Sequence, residues 1–176
     1  DNRLVGSEMC IRDRSRRSLY FPFSLGHFAN DFVPCSVVVL APAIALEMNL
    51  NPMEVGLLLT LHSLGSALGY FPSGLLADSV RNRGNLLMLT FWWVGLGYLL
   101  ASWAPGFWSL AFLFALAGCG DAAWHPLATA ILVQSDPQKR GQALGFHAIG
   151  GTLSAVVGPV IVGFLLASMD WRETLH

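Results

Sequence analysis

Two short stretches of this 176-residue chain each place a carboxylate and an imidazole one helical turn apart. GHFAND carries His27 and Asp31. CGDAAWHPLA carries Asp121 and His125, with Thr129 one turn further on. A spacing of four puts each pair on one face of a helix. His147 adds another imidazole downstream. A carboxylate beside an imidazole can take up and relay a proton, because histidine titrates near neutral pH. The same groups can line a substrate path, lock helices together as a buried polar contact, or ligate a metal. For metal the spacing gives little: two residues on one helix do not make a site, and no HExxH is present. No metal and no cofactor are therefore expected.

The elements that carry these pairs are apolar. Hydrophobic residues make up 54% of the chain and charged residues 12%, against about 25% charged in soluble domains. That balance reads as an integral membrane protein. A net charge of −1 carries no nucleic-acid signature. Of three cysteines, Cys35 and Cys119 fall in apolar runs and Cys10 near the start, without CxxC spacing. They read as packing residues rather than a disulfide framework or zinc site.

Five runs are long enough to cross a bilayer, at about 19–46, 53–77, 85–103, 107–134 and 142–168, since a span takes roughly 20 residues. Residues 1–14 show no apolar period and are set aside as a non-native or disordered leader; the abrupt ending DWRETLH reads as a piece of a longer gene. Helices are the only reasonable spans, because an open sheet in lipid would strand its backbone groups. Arg16, Arg17, Arg81, Arg83, Lys139 and Arg140 fall before span one, between spans two and three, and between spans four and five. The other two turns have no Lys or Arg. By the positive-inside rule the N-terminus faces the cytoplasm, and Trp103, Trp108 and Trp171 mark the outer edge.

With that orientation, depth follows from 1.5 Å per residue. Asp31 falls about 15–18 Å from the cytoplasmic edge and His27 about 9–12 Å. Asp121 falls at about 20 Å, His125 at about 14 Å and His147 at about 8–10 Å. The two Asp/His pairs are thus expected to meet near and below the midplane. An ionisable residue there costs at least ~2.5 kcal/mol, so these faces must look into the bundle or a wet cavity. His62 lies higher, as a packing or outer-cavity residue. Small residues recur at Gly65, Gly69 and Ser73, and at Gly141, Gly145, Gly150, Ser154 and Gly158, as in helices that approach closely. Prolines at 34, 42, 72, 126 and 159 interrupt the spans and allow bends near a cavity.

The turn GLLADSVRNRG, 74–84, resembles the signature loop of the major facilitator superfamily through Gly74, Leu76, Ala77 and Asp78, although Arg81 replaces a glycine that comes late as Gly84. GGTLSAVVGPVIVGF, 150–164, is similar in part to that family's antiporter motif through Gly150, Gly158, Pro159 and Gly163, with Ser154 and Val162 where glycines are expected. Gly118 and Gly120 fit a further family motif in span four, but Phe114 stands where its basic residue belongs. GHFAND, the span-two run ending in GLLAD, and WHP at 124–126 together resemble the fosmidomycin-resistance branch of drug efflux proteins.

The resemblance implies an all-α membrane fold of twelve helices in two halves, of which this chain holds helices one to five in residues 15–176. Span six and the C-terminal half of the protein would be missing partners. It implies a secondary transporter in the inner membrane, exporting a small organic compound or drug by proton-coupled efflux with the proton gradient as driving force, and not an enzyme. His27, Asp31, Asp121, His125 and His147 would form the proton and substrate path. Asp78, Arg81 and Arg83, with Gly74, would gate the cytoplasmic side through a contact made in one conformation and opened in another. An uptake symporter, a non-transporting receptor on the same fold, and a membrane-embedded metal-dependent enzyme remain open beside it.

Overall fold

Apolar runs of this length must satisfy their backbone groups internally, and the chain does so as helices. The computed structural model describes residues 19–176; the expected leader at 1–14 lies outside them. In chain order come α1 Tyr20–Asp31, a 3₁₀ turn Pro34–Ser36, α2 Val37–Met48, α3 Pro52–Ser79, α4 Arg83–Ala101, α5 Phe107–Ser135, α6 Arg140–Leu165 and the short α7 Trp171–Thr174. No strand occurs among the described residues. Helices α3 to α6 are each long and apolar enough to cross a membrane, and α1 with α2 makes a fifth, bent span.

That first span is not one straight helix. The sequence reads as one run over 19–46, but the helix breaks after Asp31 and bends by 41°. Pro34 has no N–H to offer the carbonyl four residues earlier, that of Asn30. The hydroxyl of Ser36 closes part of the gap by donating to the Phe32 carbonyl at 2.7 Å, and the Ser36 N–H donates to Val33 at 2.8 Å. Asp31 therefore ends a helix, beside the bend.

Starts and stops elsewhere follow local chemistry. Asn49 ends α2 in the left-handed region at φ 53°, which asparagine tolerates better than most residues. Asn51 caps α3 by accepting from the N–H groups of Met53 and Glu54, and Glu54 accepts in return from the Asn51 N–H. This is the reciprocal capping box.

The helices pack as two groups. α3 and α4 lie against α5, while α1 lies against α6. Glycine sets both close approaches. A Cβ at Gly65 or Gly69 would run into the carbonyl of Ala115 or Cys119 on α5, and one at Gly150 into the Ser24 carbonyl on α1. Gly158 faces the Ser36 hydroxyl at 2.8 Å from such a Cβ. Gly141 and Gly145, expected in the same stripe, face open space.

Two apolar clusters result. The larger includes Leu40, Ile44, Leu58, Tyr98, Phe114, Val162 and Trp171; the smaller holds Tyr20, Leu132 and Ala143. Along α1, α5 and α6 the polar residues fall between the two. Large apolar side chains such as Phe21, Leu46, Trp92 and Phe164 point outward, as lipid contact requires and water would penalise.

Trp171 corrects an expectation. Trp103 and Trp108 are exposed, but Trp171 is 1% exposed and belongs to the core. Arg172 holds its short helix in place. Its guanidinium pairs with Glu47 at 2.8 Å, donates to the carbonyls of Ser102 and Ala104, and lies 4.3 Å over the Trp171 ring. An interfacial role needs an open ring edge, and this packing leaves none.

Candidate functional site

Three helices bring the sequence-predicted residues into one layer. α1 supplies His27 and Asp31, α5 supplies Asp121 and His125, and α6 supplies His147. His27 Nε2 lies 3.1 Å from Asp31 Oδ2. His125 Nε2 lies 3.6 Å from Asp31 Oδ1 and 4.0 Å from Asp121 Oδ1. The imidazole of His147 stacks on that of His27, with centroids 4.1 Å apart. The structure thus brings these five sequence-predicted residues together.

The orientation of His27 is fixed by backbone. Its Nδ1 lies 2.8 Å from the carbonyl oxygen of His147. A carbonyl can only accept, so Nδ1 carries the hydrogen and Nε2 faces Asp31. The N···O contact of 3.1 Å then needs positive charge between its two atoms. In the protein alone that is one proton, resting on the nitrogen or on the oxygen. His147 Nδ1 likewise donates to the Phe23 carbonyl, at 3.3 Å.

Asn30 is the residue that sequence reasoning passed over. It is 1% exposed and sits on α1 between His27 and Asp31. Its amide nitrogen donates to Asp121 Oδ1 at 2.6 Å, to the Asp121 carbonyl at 3.3 Å and to Asp31 Oδ1 at 3.1 Å. One neutral amide thus ties both carboxyl groups together. The signal was in GHFAND, yet only the docking of α1 on α5 gives it meaning.

Aromatic walls complete the layer. Trp124 is buried, with its ring 5.2 Å from His147 and 5.5 Å from His27. Tyr70 of α3 lies parallel to His125 at 6.0 Å. A Cβ on Gly151 would come within 2.5 Å of His27 Nε2, so glycine leaves room for that imidazole. The side chains of His27, Asp31, Asp121 and His125 keep 13%, 15%, 14% and 21% of their surface open.

Charge compensation inside the layer is local. Among the described residues Lys and Arg occur only at helix ends and in turns. Two carboxyl groups therefore have only imidazoles, an amide and whatever cation they take up to balance them. Carboxylates this close repel when both are ionised.

The loop residues behave differently. Asp78 and Arg81 are exposed, and Asp78 forms no ion pair with Arg81 or Arg83. It lines an open cleft with Gly74, Pro126, Thr129 and Gln134. Arg83 instead bridges three helices, donating to the Ala77 carbonyl of α3 and to the Gln134 side chain of α5. In the antiporter-like stretch, Gly150 faces α1, Gly158 faces Phe32 and Ser36 at the bend that follows it, Pro159 lies inside α6, and a Cβ on Gly163 would meet only Val39 at ordinary contact distance. His62, outside the layer, holds the Tyr98 hydroxyl at 2.7 Å.

Comparison with known proteins fits this frame. A family model described as Major Facilitator Superfamily matches residues 23–175. A probable 4-methylmuconolactone transporter of Cupriavidus pinatubonensis is 31% identical over 138 residues, 76% of this chain and 32% of the relative. A probable sugar efflux transporter of Helicobacter pylori is 30% identical over 158 residues, 88% of this chain and 39% of the relative. The fosmidomycin resistance protein of Escherichia coli is 24% identical over 145 residues, 82% of this chain and 35% of the relative. The chain spans about a third to two fifths of the length of these curated relatives. A family match over nearly all described residues, on a set of apolar helices with a shared polar layer, shows that this chain is an integral membrane protein of the major facilitator superfamily.

Proposed function

We propose that this chain is the N-terminal part of a secondary transporter that exports a small organic compound in exchange for protons. The observation that carries the reading is the paired carboxyl site. Asp31 and Asp121 come from different helices, share the Asn30 amide and face imidazoles. Such a site takes up and gives back a proton without moving charge through lipid. Asp31 and Asp121 carry the proton; His27 and His125 pass it on, and His147 holds His27 in place through its carbonyl. A missing C-terminal half would supply the opposite wall, and the halves would rock around the site in turn. Asp78 and Arg81 would gate the cytoplasmic side, with the N-terminus in the cytoplasm of a cell whose inner membrane holds the protein. Export is favoured over uptake by two relatives whose names denote efflux or resistance.

The test is Asp121→Asn in the full-length protein reconstituted in vesicles. The substitution keeps shape and removes the titrating group. We expect loss of flux driven by a pH gradient, with expression and solute binding retained. Undiminished pH-driven flux overturns the assignment.

A further inference from the structure

The layer converges ligand atoms of a kind that the sequence spacing did not. From two helices, His125 Nε2 lies 3.6 Å from Asp31 Oδ1 and 4.0 Å from Asp121 Oδ1, while the other Asp31 oxygen, Oδ2, lies 3.1 Å from His27 Nε2. In a tetrahedral site with bonds near 2.0–2.1 Å, neighbouring ligand atoms stand about 3.3 Å apart. Asp31 offers one oxygen to each imidazole, and small side-chain movements would bring the two His125 contacts, which lie somewhat above that figure, down to it. One ligand atom each from Asp31, Asp121 and His125 lie within 4.8 Å of one another, and so do those from His27, His125 and His147.

The orientation of His27 is an independent observation that points to a metal. A metal-bound histidine characteristically donates its other ring N–H to a carbonyl or carboxylate. His27 does so through Nδ1 to the His147 carbonyl, which turns the Nε2 lone pair toward Asp31. The contact between that lone pair and a carboxylate oxygen calls for a positive charge between them, and a metal ion meets the need as a proton does. The donor set selects the ion. Two imidazole nitrogens and two carboxylates suit zinc and its first-row neighbours, whereas calcium and magnesium prefer oxygen alone.

We propose that this layer is a binding site for one divalent transition-metal ion of the zinc class, ligated by His27, His125, Asp31 and Asp121. The single-helix pairs were two ligands each and made no site; the docking of α1 on α5 makes four. His147 and Asn30 stand behind the ligands, the first orienting His27 and the second fixing both carboxyl groups. The inference uses the residues of the transport reading but does not depend on proton coupling.

The test is titration calorimetry of the full-length protein in detergent with zinc chloride, without substrate or pH gradient. We expect saturable binding of one zinc per chain, weakened at least about tenfold by His125→Gln, in line with the sensitivity of metal sites to loss of supporting groups, and unchanged by His62→Gln. Cobalt added in place of zinc should give the intense visible absorption of a tetrahedral site, lost in His125→Gln. If His125→Gln does not elute as a folded species, His27→Gln takes its place with the same expectation. Absence of saturable zinc binding to folded wild type overturns the proposal, as does binding that both histidine variants leave intact. Because no gradient is applied, failure here leaves the transport reading standing, and loss of flux in Asp121→Asn leaves this one standing.

Discussion

The Asn30 amide donates to the Asp121 carboxyl at 2.6 Å across 91 residues of sequence, while also reaching its neighbour Asp31 at 3.1 Å. This contact ties α1 to α5 in the middle of the bundle and sets how far apart the two acids sit. Leaving a buried acceptor without its donor costs about 1–3 kcal/mol.

Asn30→Ala is therefore expected to lower the thermal unfolding midpoint of the full-length protein in detergent. Asn30→Asp should be worse, because it replaces the shared donor with a third acid in a layer that has only imidazoles to balance it. Unfolding followed by tryptophan fluorescence checks both. A wild-type midpoint for Asn30→Ala would remove this amide as a structural link.

The glycines of α6 divide cleanly. Gly150 and Gly151 lie against α1, where an added Cβ meets the Ser24 carbonyl or the His27 ring, while Gly141 and Gly145 face open space. Gly151→Ala should push His27 away from Asp31 and depress transport while the protein still folds. Gly150→Ala should part α1 from α6 and reduce folded yield. Gly145→Ala should leave both unchanged. Yield by size-exclusion chromatography and flux in vesicles separate the three cases; equal behaviour at 145 and 150 would contradict the packing.

Much of this arrangement was legible because depth in a membrane is nearly a linear function of residue number. The two pairs, His27 with Asp31 and Asp121 with His125, could be set at similar depths by counting alone. Counting cannot give rotation about the helix axis, so the Asn30 contact and the stacking of His147 on His27 needed the packed bundle. Pro34 signalled a bend in span one, but how sharply the chain turns depends on what caps the freed groups, here Ser36. Trp171 misled for a related reason: an aromatic at a span end reads as interfacial until a neighbour such as Arg172 is seen to fold it inward.

Tyr20 and Asp136 fasten the end of the bundle opposite Trp171. The tyrosine hydroxyl donates to the Asp136 carboxyl at 2.7 Å, and Asp136 is 2% exposed. Tyr20→Phe keeps the ring in its cluster with Leu132 and Ala143 and removes only the donor. The expected loss is about 1–3 kcal/mol, the range for a buried polar group left short of a partner. Thermal unfolding of the single variant reads it, and a change well below 1 kcal/mol would mean that the bond is replaced by water.

Arg81 and Arg83 are neighbours in the signature-like loop, yet the structure gives them different tasks. Arg83 joins α4 to the last turn of α3 through the Ala77 carbonyl and to α5 through Gln134. Hydrogen bonds from a charged donor contribute about 1.5–3 kcal/mol each, and less where water competes. Arg83→Ala should therefore lower stability in detergent, with transport falling in proportion to folded protein. Arg81 is exposed and makes no such bridge, so Arg81→Ala should leave stability unchanged. If Arg81 takes part in gating, its contact with Asp78 belongs to another conformation, since the two are unpaired here. Arg81→Ala would then change transport rate at constant folded yield, and Asp78→Asn would change it in the same way. A double variant no worse than either single one would place both residues in one contact. Additive losses would assign them to separate roles and remove the charge contact from the gating scheme.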